Sequence, residues 1–538
     1  MSDQSLARSS AVMAAGTATS RLLGFARTTM LAAVIGLGVS ADAFDVANTL
    51  PNNFYLLLAG GVLNAVLVPQ ITKAAKHDDG GQEFVNRLLT LSLLIIAAAT
   101  IVVTALAPLL VRLFSQGWNS SALALGTAFA FICLPQIFFY GLYTVVGQVL
   151  NARGQFAAYM WAPAIANIVA ILGLLWFGAV YADQPRVEQW DAGMVWVVAG
   201  TATLGVALQA LVLLIPLHRS GFRLRPVFGF RGVGLRSASR VALWTFAALA
   251  VSQLGFIVTS KVLTRANDLM AAQGVTGAGK AAYSAAFLLF MLPHSLITLS
   301  LVTALFTRMS TAAHAGRTAE VVSDFGRGLR MPAVFLVPGT AAAILFGLPA
   351  VRLAFAGNTP EQAAAIAEVM IAMMVGVVPF GWVYLIQRVY YAYEDAKTPF
   401  YLQLVVSGVA TAVNLYAFTV DPTKVGIVVG IGQTLSNLVA AGVGFVLLRR
   451  RLGLLRLRST VRLYVRLGVA TLVGAAVAIP ARMLLERVVG DGVLGSAIEL
   501  VAGGGLFLAV VLGVAHLMRV EEVAALLDPV TRRIRRRA

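Results

Sequence analysis

Thiol, imidazole and negative charge are scarce in this chain, which has one cysteine, five histidines and 23 acidic residues among 538. The lone cysteine, Cys133, lies in an apolar segment without a partner, which excludes an intrachain disulfide and leaves packing as its role. The histidines are scattered and no two carboxylates pair deep in an apolar segment. The clusters that a metal site, an acid–base pair or an activated nucleophile would need are therefore missing. A membrane enzyme acting on lipid-linked sugars is not expected, nor is a resident metal or cofactor. The opening MSDQSLARSS carries little positive charge, and the apolar run behind it is too long and too interrupted by arginine for a cleaved signal peptide. The first helix itself should direct insertion.

What the chain has in abundance is hydrocarbon. It is 59% hydrophobic with a mean hydropathy of +0.84, and apolar runs of the roughly 20 residues needed to span about 30 Å of lipid recur along its whole length. About fourteen such segments can be counted, from Ser10 to Ile35 at the start to Val493 to Met518 at the end, which predicts an all-α polytopic membrane protein. The net charge of +18 would suit nucleic acid, but its placement excludes that partner. With the N-terminus in the cytoplasm, 29 of the 41 basic residues fall on that side in alternate loops, the densest run being the seven from Arg449 to Arg466. This positive-inside pattern predicts that both termini are cytoplasmic and that the basic runs lie against anionic lipid heads.

An internal repeat is visible. Val111-Arg112-Leu113 recurs as Val351-Arg352-Leu353, Arg87 as Arg327, and Val149 to Ala152 (VLNA) as Val389 to Ala392 (VYYA), all at an offset of 240 residues; Leu50-Pro51 recurs as Leu292-Pro293 at 242. Four matches in nearly one register predict a duplicated unit of six helices. An even number keeps the halves parallel, related by a pseudo-twofold axis along the membrane normal. The expected domains are an N-terminal lobe over 1–217 (helices 1–6), a C-terminal lobe over 218–448 (helices 7–12), and 449–538 with two further helices and a basic tail.

No other neighbouring pair of segments is as polar as the first two. The first carries Ser20, Arg21, Gly24 and Arg27; the second carries Asp42, Asp45, Asn48, Pro51, Asn52, Asn53, Gly60, Gly61, Asn64 and Gln70. An ionised side chain at bilayer depth costs at least about 2.5–3.5 kcal/mol, so it is kept facing a bundle interior or an aqueous cavity. Arginine's planar fork bonds phosphate oxygens in pairs, so Arg21 and Arg27 predict a cavity for an anion. They are about 240° apart on a straight helix and share a face only if it bends, which Gly24 would permit. Pro51 frees a carbonyl that a neighbour or water must meet.

Ser20 to Arg27 (SRLLGFAR), Ala41 to Phe44 (ADAF), Leu50 to Asn52 (LPN), Leu67 to Gln70 (LVPQ) and Tyr393 to Pro399 (YEDAKTP) resemble the MurJ (MviN) family, within the multidrug/oligosaccharidyl-lipid/polysaccharide exporter superfamily. The resemblance covers roughly helices 1 to 12. It implies a lipid II flippase of the bacterial plasma membrane, moving the undecaprenyl-pyrophosphate-linked peptidoglycan precursor from inner to outer leaflet by alternating access. Membrane lipids and cell-wall synthesis proteins are its candidate partners. It also implies two six-helix lobes around a cationic cavity, and a groove for the polyprenyl tail on helices 13 and 14. Arg21 and Arg27 match the two family arginines of helix 1, and Asp42 the acid at the head of helix 2. The family's arginine pair after LPN is replaced here by Tyr55 and Leu56, and its helix 8 arginine has no counterpart in Tyr283 to Met291 (YSAAFLLFM). The cavity is then less basic, with Asn52, Asn53, Tyr55 and Tyr283 as neutral candidate contacts. Asp42 is the candidate gate, closing by pairing with Arg27; stabilisation of its own helix start by the dipole is the competing reading.

Other polar residues have plainer expectations. Arg388, one or two turns from the end of helix 10, should snorkel, as should Lys261 and Arg265 at the end of helix 7 and Glu499 in helix 14. His294, after Pro293, should be a packed histidine. The alternative function is export of another lipid-linked oligosaccharide or of drugs in the same superfamily, and the helix 1 arginines favour an anion over cationic drugs.

Overall fold

The computed structural model describes residues 3–58, 82–153, 155–181, 184–229, 240–490 and 492–523. The expected continuation of helix 2 to Ile71, with Gly60, Gly61, Asn64 and the LVPQ motif, and the basic tail beyond 523 lie outside these residues.

Among the described residues the secondary structure is helical, without strands. The first helices are α1 (Asp3–Ile35), α2 (Val39–Leu58), α3 (Gln82–Ala105, resumed as Ala107–Phe114), α4 (Ser120–Cys133 and Gln136–Ala152), α5 (Phe156–Val180), α6 (Ala192–Arg219) and α7 (Arg240–Gln273). They are followed by α8 (Lys280–His314), α9 (Thr318–Ala354), α10 (Pro360–Met374 and Val377–Ala392), α11 (Lys397–Ala417), α12 (Pro422–Leu452), α13 (Arg458–Val489) and α14 (Val493–Leu517). Eleven spans among the described residues are long and apolar enough to cross a membrane, or twelve counting α10, whose halves meet at 49°. The polytopic fold is as expected; α1 and α2 are the more polar pair, and the count of fourteen remains an expectation. Leu172, Trp176, Leu472 and Leu517 are each more than half exposed, a surface that lipid covers and water would not tolerate on this scale.

The chain divides into two compact units, Met1–Val275 with Gly279–Ala281, and Thr276–Ala278 with Ala282–Ala538. The division falls one helix later than residue 217. Hydrogen bonds hold α7 in the first unit: Ser260 Oγ donates to the Phe114 carbonyl (2.6 Å), the Gln116 N–H donates to Thr264 Oγ1 (3.0 Å), and Asn267 Nδ2 donates to the Leu37 carbonyl (3.1 Å). Six-plus-six lobes stay a proposal about duplication rather than compactness. The 240-residue offset recurs in the helix boundaries of each unit. Helix 107–114 ends at Phe114, Asn119 caps the next helix by accepting from the Ala122 N–H (2.9 Å), and α4 ends at Ala152. In the second unit α9 ends at Ala354, Thr359 caps by accepting from the Gln362 N–H (3.3 Å), and α10 ends at Ala392.

In the second unit α13 and α14 are strapped to α9, which contains Pro332, Pro338 and Pro349. A proline removes the N–H that would bond the carbonyl four residues earlier. The Leu345 carbonyl, released by Pro349, accepts instead from Arg482 Nη1 of α13. Arg482 also pairs with Glu486 (2.5 Å) and lies 3.7 Å from Glu499 of α14. Glu499 does not snorkel; it is buried beside this guanidinium. Sixteen residues earlier on α9, the Leu329 carbonyl accepts from the Tyr464 hydroxyl (3.0 Å), which accepts from Trp382 Nε1 (2.8 Å).

Candidate functional site

α1 is one uninterrupted helix from Asp3 to Ile35, so Gly24 does not break it. Arg21 and Arg27 therefore stay about 240° apart and are not brought together; Arg21 is exposed and Arg27 half-buried. The helix is fastened along α5, where Trp161 Nε1 donates to the Val12 carbonyl (3.1 Å) and Asn167 Nδ2 to the Ser20 carbonyl (3.0 Å).

Arg27 lies within electrostatic reach of Tyr140 on α4, and no ion pair to it occurs among the described residues. The Tyr140 hydroxyl is 3.5 Å from Gln136 Oε1, and its ring centroid is 5.7 Å from that of Tyr55. Gln136 opens the second half of α4, just after the Leu134-Pro135 break. It is buried, donating to Thr203 Oγ1 of α6 (2.9 Å) and, at 3.4 Å, to Asn48 Oδ1 of α2. The Tyr55 hydroxyl sits 2.5 Å from Thr144 Oγ1. A polar seam thus joins Arg27, Tyr140, Gln136, Asn48, Thr203 and Tyr55 across α1, α2, α4 and α6. Asn52 is exposed, and Asn53 is half-buried with Nδ2 lacking a hydrogen-bond partner among the described residues. Tyr283 belongs to the second unit, where it is buried and stacked on Phe287 at 6.2 Å.

Asp42 lies apart from Arg27. It is fully buried, and Oδ1 accepts from the Ala281 backbone N–H (2.7 Å) in the first turn of α8. A carboxylate there meets the positive end of α8. Asp45, one turn on, is 2.5 Å from the Nζ of Lys280, whose side chain is 1% exposed and whose ammonium lies 5.0 Å from the Phe256 ring centroid. The expected Asp42–Arg27 pair is thus replaced by two contacts to residues 280–281, which belong to the first unit. Sequence reasoning passed over Lys280, a lone cation at the head of an apolar segment whose partner is 235 residues away. The available signal was Asp42 and Asp45 at i, i+3, facing one side of a helix.

Chemically this arrangement offers a permanent cation, several neutral donors and a locked carboxylate pair. It suits holding an anion beside a hydroxyl-rich group. Comparison with known proteins gives the family. The family model for the lipid II flippase MurJ matches residues 31–503. A lipid II flippase MurJ of Burkholderia cenocepacia is 25% identical over 81% of this chain and 82% of its own. A probable lipid II flippase MurJ of Rhizobium meliloti is 26% identical over 78% of this chain and 76% of its own. Among solved structures, a lipid II flippase MurJ in an inward closed conformation superposes with a TM-score of 0.69 at 18% identity, covering 93% of this chain and 97% of that one. An inward-facing multidrug resistance MATE transporter of the MOP superfamily gives 0.62 at 18% identity, over 82% and 96%.

Proposed function

The chain belongs to the lipid II flippase MurJ family, and from that premise we propose that it moves undecaprenyl-pyrophosphate-linked disaccharide-peptide from the inner to the outer leaflet of the bacterial plasma membrane. A pyrophosphate carrying a sugar–peptide head cannot cross hydrocarbon unaided. The observation that carries the reading is Arg27, a half-buried guanidinium without an ion-pair partner among the described residues, on a polar seam shared by α1, α2, α4 and α6. Its fork takes paired phosphate oxygens at any working pH. Tyr55, Asn52 and Asn53 supply neutral contacts to the head, and Arg21, on another face of α1, meets the phosphates nearer the cytoplasm. Both termini are cytoplasmic by the charge pattern. On that topology Asp42, Asp45 and Lys280 lie at the outer end and form the gate. Opening it means releasing the Ala281 N–H and the Lys280 ammonium, and a load that favours the open state shifts the population toward it.

Depletion of the protein tests the reading: wall growth stops and the undecaprenyl-linked precursor accumulates on the cytoplasmic side. Normal wall synthesis with altered drug tolerance would select a superfamily exporter instead. Arg27→Ala should weaken binding of the lipid-linked pyrophosphate by roughly 10- to 150-fold, the equivalent of about 1.5–3 kcal/mol for a charge-assisted hydrogen bond. The variant should still insert and fold. Unchanged affinity would remove Arg27 from the site.

A further inference from the structure

We propose that Arg388, framed by Tyr384, Tyr391 and Phe306 in the second unit, is a second contact for a lipid-borne phosphate. The proposal rests on the flippase reading and extends it from the first unit to the second.

Arg388 stands one turn before the end of α10, where a snorkelling head is expected, but its guanidinium is instead set among rings. Its central carbon lies 4.8 Å from the Tyr384 centroid, 5.5 Å from that of Phe306 and 5.9 Å from that of Tyr391. Ring faces attract the charge without accepting conventional hydrogen bonds, so the five N–H donors of the guanidinium keep their capacity for an acceptor. No carboxylate of this end of the unit takes them. Asp324 is paired with Arg308 (3.2 Å) and Arg327 (3.4 Å), Glu394 with His314 (3.2 Å), and Glu522 with Arg330 (3.0 Å). Asp395 is bonded to Thr398 and Arg451 (2.7 Å). Burial works to raise the Asp395 pKa, but the Thr398 N–H and hydroxyl and the Arg451 guanidinium outweigh it and hold it below the usual carboxylate range. Among the described residues Arg388 is thus a half-buried cation whose contacts are aromatic.

A second observation lies on the facing helix. After Pro293, α8 widens into a π-turn over His294–Thr298, a local form frequent at functional sites. Both side chains at its ends are buried, and His294 Nδ1 and Thr298 Oγ1 have no hydrogen-bond partner among the described residues. The His294 ring is 5.5 Å from the same Tyr384 that stacks under Arg388. One aromatic side chain therefore links the guanidinium to the unsatisfied His294, one turn before the unsatisfied Thr298 on the same π-turn. Between Lys280 and Arg308 α8 carries no cation of its own, so Arg388 supplies the positive charge on this side of the helix pair. On the proposed topology the cluster is near the cytoplasmic face, where a pyrophosphate-linked lipid is taken up.

The test uses the purified full-length protein in detergent, with thermal stabilisation read against undecaprenyl pyrophosphate, uncharged undecaprenol and phosphatidylglycerol. Arg388→Gln should unfold near the wild-type temperature without ligand, lose at least about tenfold in apparent affinity for undecaprenyl pyrophosphate, and bind undecaprenol unchanged. Arg388→Lys should lie between, because it keeps charge and loses the fork. Equal affinity of wild type and Arg388→Gln for the pyrophosphate overturns the proposal. If only phosphatidylglycerol binding weakens, the contact serves bulk lipid and the substrate assignment is overturned. Should the Gln variant not fold, Arg388→Lys decides: weaker binding by more than about twofold supports the contact, and unchanged affinity overturns it. Wild type failing to respond to undecaprenyl pyrophosphate at all would instead sink the flippase reading, which separates the two failures.

Discussion

At the break in α4, Thr203 of α6 donates to the Ile132 carbonyl at 2.9 Å; at the break in α10, Thr434 of α12 donates to the Ala372 carbonyl, 240 residues on, at 2.7 Å. Both units thus repair a broken helix with a threonine, from α6 in the first and from α12 in the second. They then diverge at the next matched position. Residue 136 is a buried glutamine bonded to both Thr203 and Asn48. Residue 376 is glycine, where a Cβ would fall 2.6 Å from Thr434 Oγ1 and 2.7 Å from the Thr434 Cα. In the first unit α6 stands off far enough to admit a polar side chain and start a seam; in the second α12 comes close. The two units share the bond that satisfies the carbonyl, while the first is open to polar contacts at this point and the second is closed.

The largest effect should come from disturbing the charged part of the first unit. Lys280→Met leaves Asp45 beside a methionine in place of the ammonium it meets at 2.5 Å, a change of about 3–5 kcal/mol when a buried pair loses one member. Thermal unfolding should fall accordingly, and Lys280→Met with Asp45→Leu should recover most of the loss, since matched apolar groups can replace a buried pair. Equal instability of single and double variants would show that the pair is not what the first unit depends on. The second effect is smaller and crosses the two breaks. Gly376→Ala forces a methyl against the α12 backbone and should cost about 1–3 kcal/mol, with normal transport per folded molecule. Gln136→Ala should do the reverse, losing transport with a smaller change in unfolding temperature. Matching losses of both kinds in both variants would erase the distinction between open and closed units.

Much of this was legible in the sequence because lipid imposes a simple rule on length and apolarity. The long apolar runs, the offset between VLNA and VYYA, and Arg27 on a polar pair of helices all survive in the structure. What was not legible depends on partners far along the chain or on backbone carbonyls, which carry no sequence signal. The place of α7 in the first unit rests on bonds to the Phe114 and Leu37 carbonyls. Lys280 finds Asp45 across 235 residues. Arg482 meets a carbonyl that is free only because Pro349 stands four residues on in another helix. Gly24 leaves α1 continuous, and α5 bonds it on either side of Gly16, at the Val12 and Ser20 carbonyls.

The smallest effect isolates the shared bond itself. Thr203→Val and Thr434→Val keep a branched side chain and remove the hydroxyl, so each leaves a carbonyl at a helix break without its side-chain donor. Each should cost about 0.5–1.5 kcal/mol, and the two unfolding temperatures should fall by similar amounts. Function should not fall equally. Thr203 also accepts from Gln136 Nε2, whose remaining acceptor, Asn48 Oδ1, is at 3.4 Å. Losing Thr203 therefore frees Gln136 to leave the seam, and transport should drop by about two- to tenfold, the equivalent of about 0.4–1.4 kcal/mol. Thr434 bonds the Ala372 and Met373 carbonyls and no side chain of a seam, so transport by Thr434→Val should match wild type once corrected for folded protein. The measurement is flipping of a fluorescent lipid-linked pyrophosphate in proteoliposomes for both variants side by side. A Thr434→Val as slow as Thr203→Val would place the second break on the substrate path, and Gly376 would then be a narrowing of that path rather than its seal.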